Sequence, residues 1–173
     1  MRWGAFALAL LVTLLLQNAV LWPLGASWVD LFLVLALLLG LAARTHDACI
    51  AGWLTGIVQD LSSAGMLGIH AFALGIAALL LTRLRERVNL SVWWVRLLVT
   101  FAAALAAQLI YHVHLVFWEM HPGAVSWWAI VGLSVRSAAI ASWLAVSITM
   151  LPWLILYNRR RRRTYRLARG VAR

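Results

Sequence analysis

The chain has 173 residues, 65% of them hydrophobic and only 12% charged, with a mean hydropathy of +0.91. Soluble domains are about a quarter charged, so this composition excludes an ordinary soluble fold and points to an integral membrane protein. The formal net charge of +10 sets fifteen arginines, and no lysine, against five acids; eight of those arginines lie in the last fifteen residues, so the basicity belongs to the tail and nucleic-acid binding is a poor inference.

Apolar runs over approximately residues 3–22, 28–43, 48–60, 66–82, 92–118 and 127–157 predict six transmembrane helices. The expectation is an all-α integral membrane protein, with residues 1–157 as the transmembrane domain and 158–173 as an arginine-rich tail. Met1-Arg2 and the first run resemble a signal peptide, with Gly25-Ala26-Ser27 as a weak cleavage site. That run continues through Trp22, longer than a signal h-region, so it is read as a retained span.

Connections between the runs alternate in charge. Arg2, Arg44, the Arg83, Arg85 and Arg87 cluster and the tail fall on one side, whereas Asp30, Asp60, His112, His114, Glu119 and His121 fall on the other. The positive-inside rule then makes both termini cytoplasmic. Tryptophan prefers the membrane interface, and most tryptophans sit near proposed span ends, with Trp53 and Trp143 the interior ones.

The third run, about 13 residues, reaches only about 20 Å across a core of about 30 Å. Either its helix begins earlier, around Thr45, or the link 61–65 dips below the outer surface. Both options put Asp60 near the outer leaflet, facing protein or water rather than lipid. Gly52, Gly56 and Asp60 follow at i, i+4 and i+8 and share one helix face; Ala71, Gly75 and Ala78 form a comparable stripe on the fourth helix. Such stripes let helix backbones approach closely.

Arg136 lies about ten residues into the sixth run, where an arginine costs roughly 2.5–3.5 kcal/mol and needs a partner. By depth, Asp60, Gln59, Asp30 and the turn carbonyls are within reach, with His70 and Gln17 near. The expected structural polar cluster is Asp30, Asp60, His70 and Arg136, with an Arg136–Asp60 pairing that ties helix six to the turn between helices three and four.

His112, His114, Glu119 and His121 are metal-ligand types, but residues two apart on a helix point about 160° apart, so they are read as interfacial. The one cysteine, Cys49, excludes an internal disulfide or thiolate cluster. No paired carboxylates or catalytic motif are present; Ser62, Ser63, Asp60 and His70 more simply satisfy a turn, so no enzyme and no cofactor are expected. In the tail, Arg159, Arg160, Arg161, Arg162, Arg163 and Arg166 follow a span directly and suit anionic lipid or an acidic partner.

Asp30-Leu31, followed by G-x-x-x-G-x-x-x-D-L-x-S-x-G-x-x-G-x-H-A from Gly52 to Ala71, resembles the rod shape-determining MreD family over residues 28–85. Met66 stands where that family often has proline. The motif falls on the turn glycines Gly52, Gly56, Gly65 and Gly68 together with Asp60 and His70. This resemblance implies a multi-pass protein of the bacterial inner membrane, similar in fold to the substrate-binding membrane subunits of energy-coupling-factor transporters. It further implies MreC as a partner within a machinery that includes a transpeptidase, a RodA-type glycosyltransferase and, on the cytoplasmic side, MreB. The alternative reading is a substrate-binding subunit for a vitamin or metal transporter, using an outer pocket near Asp30, Asp60, His70 and Arg136.

Overall fold

The computed structural model describes residues 3–25, 29–63, 67–88, 90, 92–118, 128 and 130–150, with the backbone alone for 115–118. Within them the chain is all helical, in six helices. They are α1 Trp3–Leu21, α2 Leu31–Ala42, α3 Thr45–Ser62, α4 Ile69–Arg87, α5 Trp93–Trp118 and α6 Ile130–Met150. By length and composition α1, α5 through His114 and α6 are each able to cross a membrane, while α2 is apolar but short.

Helix α2 is apolar all round, and a helix of that kind belongs in the middle of a bundle. Phe32 to Leu37 and Gly40 are all buried, and α1, α3, α4 and α5 pack around them. Much of the remaining core is alanine: Ala73 and Ala77 of α4, Ala103, Ala104 and Ala107 of α5, and Ala138, Ala141 and Ala145 of α6. Where lipid is as apolar as leucine, helices associate by close packing, which small side chains permit. Buried hydroxyls are satisfied locally: Thr55 donates to the Ala51 carbonyl (2.7 Å) and Thr82 to that of Ala78 (3.0 Å).

The third helix starts at Thr45, the earlier of the two starts considered, and its 18 residues span about 27 Å. This beginning is fixed by polar contacts that an apolar run does not reveal. Thr45 Oγ1 donates to Glu86 of α4 (2.6 Å), and Arg85 donates to the carbonyls of Leu41 (2.6 Å) and Ala43 (2.7 Å). Arg85 thus caps the α2 C-terminus, satisfying carbonyls that have no partner within that helix. These contacts, with Arg44 and the α4–α5 connection, gather Arg44, Arg83, Arg85, Arg87 and Arg96 at one end of the bundle.

At the other end α1 widens into a π-helical turn, Leu16–Leu21, in which the Trp22 amide donates to the Gln17 carbonyl (3.0 Å). The Gln17 side chain reaches forward, donating to the Val29 carbonyl (3.1 Å) and accepting from the Leu31 amide (3.0 Å). Otherwise α1 is held lightly, with Phe6 its one buried residue.

Candidate functional site: the Asp60 cap

Small residues bring α3 and α4 together. A Cβ at Gly56 would run into the backbone of His70 and Ala71, and one at Gly52 would lie 2.8 Å from the Ala78 Cβ. The two stripes anticipated on these helices therefore meet through Gly52, Gly56, Ala71 and Ala78. Gly75 faces Trp53 instead, 3.1 Å from where its Cβ would stand.

This approach delivers Asp60, in the last turn of α3, to the first turn of α4. Asp60 is 2% exposed, and its carboxylate carries four hydrogen bonds. Oδ2 accepts from the amides of Gly68 (2.9 Å) and Ala71 (3.1 Å); Oδ1 accepts from the His70 amide (3.1 Å) and sits 2.8 Å from His70 Nδ1. An ionised carboxylate has about four lone-pair positions, so all are engaged, and the ring nitrogen facing it carries the proton. Gly68 opens α4 at φ +104°, a conformation a side chain resists, and has no capping side chain of its own. Asp60 supplies that cap from another helix. Orphan amides and the positive end of the helix dipole both favour a carboxylate there.

From His70 a chain of contacts runs across the bundle. Its ring lies on Tyr111 of α5 (centroids 4.4 Å apart, 36° between planes), and Tyr111 meets His112 edge-on (5.2 Å, 79°). His112 Nδ1 lies 2.8 Å from the Gln108 carbonyl oxygen, an acceptor only, so it donates there; Ser134 Oγ of α6 is 3.1 Å from the same nitrogen. Four helices are joined in this way. Tyr111 and Ser134 carried no sign in the sequence, because an isolated tyrosine or serine in an apolar run has no diagnostic spacing.

Asp60 is not paired with Arg136, contrary to expectation. The carboxylate's partners are the α4 amides and His70, while Arg136 occupies an exposed position on α6. Asp60 is a buried acid that needs donors, as its depth implies, but the nearest donors belong to the backbone of the adjoining helix. Asp30 is likewise separate from Asp60: it caps α2 by accepting from the Leu33 amide (3.1 Å) and accepts from Gln59 Nε2 (3.2 Å). Gly65, Met66, Glu119, His121 and the tail arginines Arg159 to Arg163 and Arg166 lie outside the described residues.

Among the described residues no three His, Cys, Asp or Glu side chains converge on one point. The geometry is that of a cross-helix cap, with its acid fully engaged. No family model, curated protein or solved structure matches this chain.

Proposed function

We propose that the chain is a non-enzymatic membrane scaffold of the bacterial cell-elongation machinery, of the MreD type. In this reading the six helices cross the inner membrane with both termini cytoplasmic. They receive the single span of MreC, and through it support the transpeptidase and RodA-type glycosyltransferase of side-wall peptidoglycan synthesis, with MreB beneath. The observation that carries the reading is the saturation of Asp60. The one fully buried acid among the described residues holds two helices together and leaves no lone pair for a ligand. A substrate-binding subunit would instead direct unsatisfied polar groups into its pocket.

The small-residue stripes are consumed between α3 and α4, so they are not the receiving surface. The partner's place is the exposed apolar side beside the cap, where Leu61, Leu67 and Phe72 are 69%, 72% and 57% exposed. Co-purification in mild detergent tests this directly. Wild-type chain is expected to retain an MreC-like partner, and Leu61→Glu with Phe72→Glu to lose it while the fold persists. A chain that never retains such a partner contradicts the proposal.

A further inference from the structure

We propose that the groove between α5 and α6, which Val29 ahead of α2 also lines, is a binding site for the acyl chains of an anionic phospholipid whose headgroup lies at the arginine-rich end of the bundle. The groove encloses about 900 Å³, at the upper end of the roughly 300–1,000 Å³ typical of ligand pockets. Trp93, Trp94, Leu97 and Phe101 of α5 form one wall; Ala139, Ser142 and Trp143 of α6 form the other. Its one hydroxyl, Ser142 Oγ, already donates to the Ala139 carbonyl (2.9 Å). The surface these residues turn to the groove is almost wholly apolar, so the occupant is hydrocarbon where it touches the walls.

Hydrocarbon in a membrane protein is either a lipid chain or another helix. Transmembrane helices associate through small residues that let backbones approach. Here the walls carry three tryptophans and a phenylalanine, and Trp93, Trp94 and Trp143 stand 63%, 55% and 63% exposed. Rings that project this far leave a slot between them, which flexible chains fill more completely than a helix does. Paired tryptophans at the start of a span also mark the headgroup level.

Charge selects the headgroup. The wall begins at Trp93, just after the α4–α5 connection, and that end carries exposed Arg83 and Arg87 on α4 together with Arg96 in the first turn of α5. Arg96 is turned back along the chain, donating to the Leu90 carbonyl from Nε (3.2 Å) and Nη2 (3.0 Å). A chain whose headgroup lies at this end meets the charge of Arg83, Arg87 and Arg96, which favours phosphatidylglycerol over a zwitterionic lipid by about fivefold for each arginine engaged.

Native mass spectrometry of the full chain decides the matter, with phosphatidylglycerol or phosphatidylcholine of identical acyl chains added to the detergent. Wild type is expected to retain phosphatidylglycerol at least fivefold better than phosphatidylcholine. Ala139→Trp fills the groove from an exposed position and should abolish retention, whereas Leu8→Trp, on the exposed side of α1, should preserve it. Trp143→Ala strips one wall without adding bulk and should also lower retention, which keeps the test informative if the filled variant fails to fold. Equal retention of the two lipids, or unchanged retention in both groove variants, overturns the proposal. So does an Ala139→Trp chain that keeps its lipid but loses a co-purifying helix, which would assign the groove to protein.

Discussion

Replacing Asp60 is the most direct test of what holds the α3–α4 pair together. In Asp60→Ala the amides of Gly68, His70 and Ala71 lose their acceptor, as does the His70 ring. Gly68 is exposed and can turn to water; Ala71 is 1% exposed and cannot. A buried donor left unmet costs about 1–3 kcal/mol, and the alanine variant leaves at least the Ala71 amide and the His70 ring without their acceptor, so it should lose about 2–5 kcal/mol. Asparagine keeps one carbonyl oxygen and presents an NH2 group in place of the other. Turned toward Gly68 and Ala71 that group opposes two amides; turned toward His70 it opposes one, since the ring can present Nδ1 as an acceptor in its other tautomer, so the loss should be about half that of alanine. Unfolding by SDS titration in mixed micelles, followed by far-UV circular dichroism, measures both. An alanine variant that unfolds with wild type, or an asparagine variant that is the worse of the two, would refute the cap.

Further expectations follow from neighbouring geometry. Gly56→Ala forces a methyl group into the His70–Ala71 backbone and should cost at least about 1–3 kcal/mol, whereas Gly132→Ala meets nothing within 4 Å and should be neutral or stabilising in the same SDS titration. Arg85→Met removes two donors from the α2 C-terminus and should cost about 1–3 kcal/mol, only partly recovered by Arg85→Lys, which cannot reproduce the two-pronged contact. Because Asp60 and Arg136 share no contact, Asp60→Asn and Arg136→Met should add within about 0.5 kcal/mol; a coupling of 1 kcal/mol or more would restore the pairing the sequence suggested. Topology is checked in a Cys49→Ala background: a membrane-impermeant thiol reagent on intact cells should label Leu67→Cys and spare Arg87→Cys.

Six helical segments were legible because apolar runs punctuated by charge and tryptophan are the strongest signal a chain carries. The start of α3 was legible only as one of two options, and its C-terminal end and the ends of α4 were not. Thr45–Ser62 and Ile69–Arg87 both run past their apolar stretches into polar residues, and only contacts such as Thr45 to Glu86 and Arg85 to Leu41 explain why the helix continues there. The stripe Gly52, Gly56, Asp60 was readable as one face, since helical spacing determines it. Its partner was also readable, apart from Gly75, whose neighbour is a tryptophan reaching across from α3. The error over Arg136 came from reasoning about side chains alone. In an apolar bundle the most abundant unmet donors are the first amides of each helix, and they compete with every arginine for a buried carboxylate.

That competition also accounts for how the bundle tolerates polar residues. Asp30 caps α2 at one end while Arg85 caps it at the other; Asp60 caps α4 across the turn, and Gln17 bridges the entry to α2. Each sits where backbone groups are exposed by a helix terminus, so each replaces water that a membrane interior does not supply. These helix ends are thereby satisfied within the chain, and the outward face of α1 is left largely apolar. A protein built this way is suited to being packed against, by lipid on one side and by a partner helix on another. The chain His70–Tyr111–His112–Ser134 gives that arrangement a mechanical consequence. A partner pressing on the cap beside Leu67 bears, through His70, on α5 and α6 as well. His70→Ala, which removes the first ring of this chain, should therefore weaken partner retention even where Leu61, Leu67 and Phe72 are intact, and retention equal to wild type would confine the cap's role to α3 and α4.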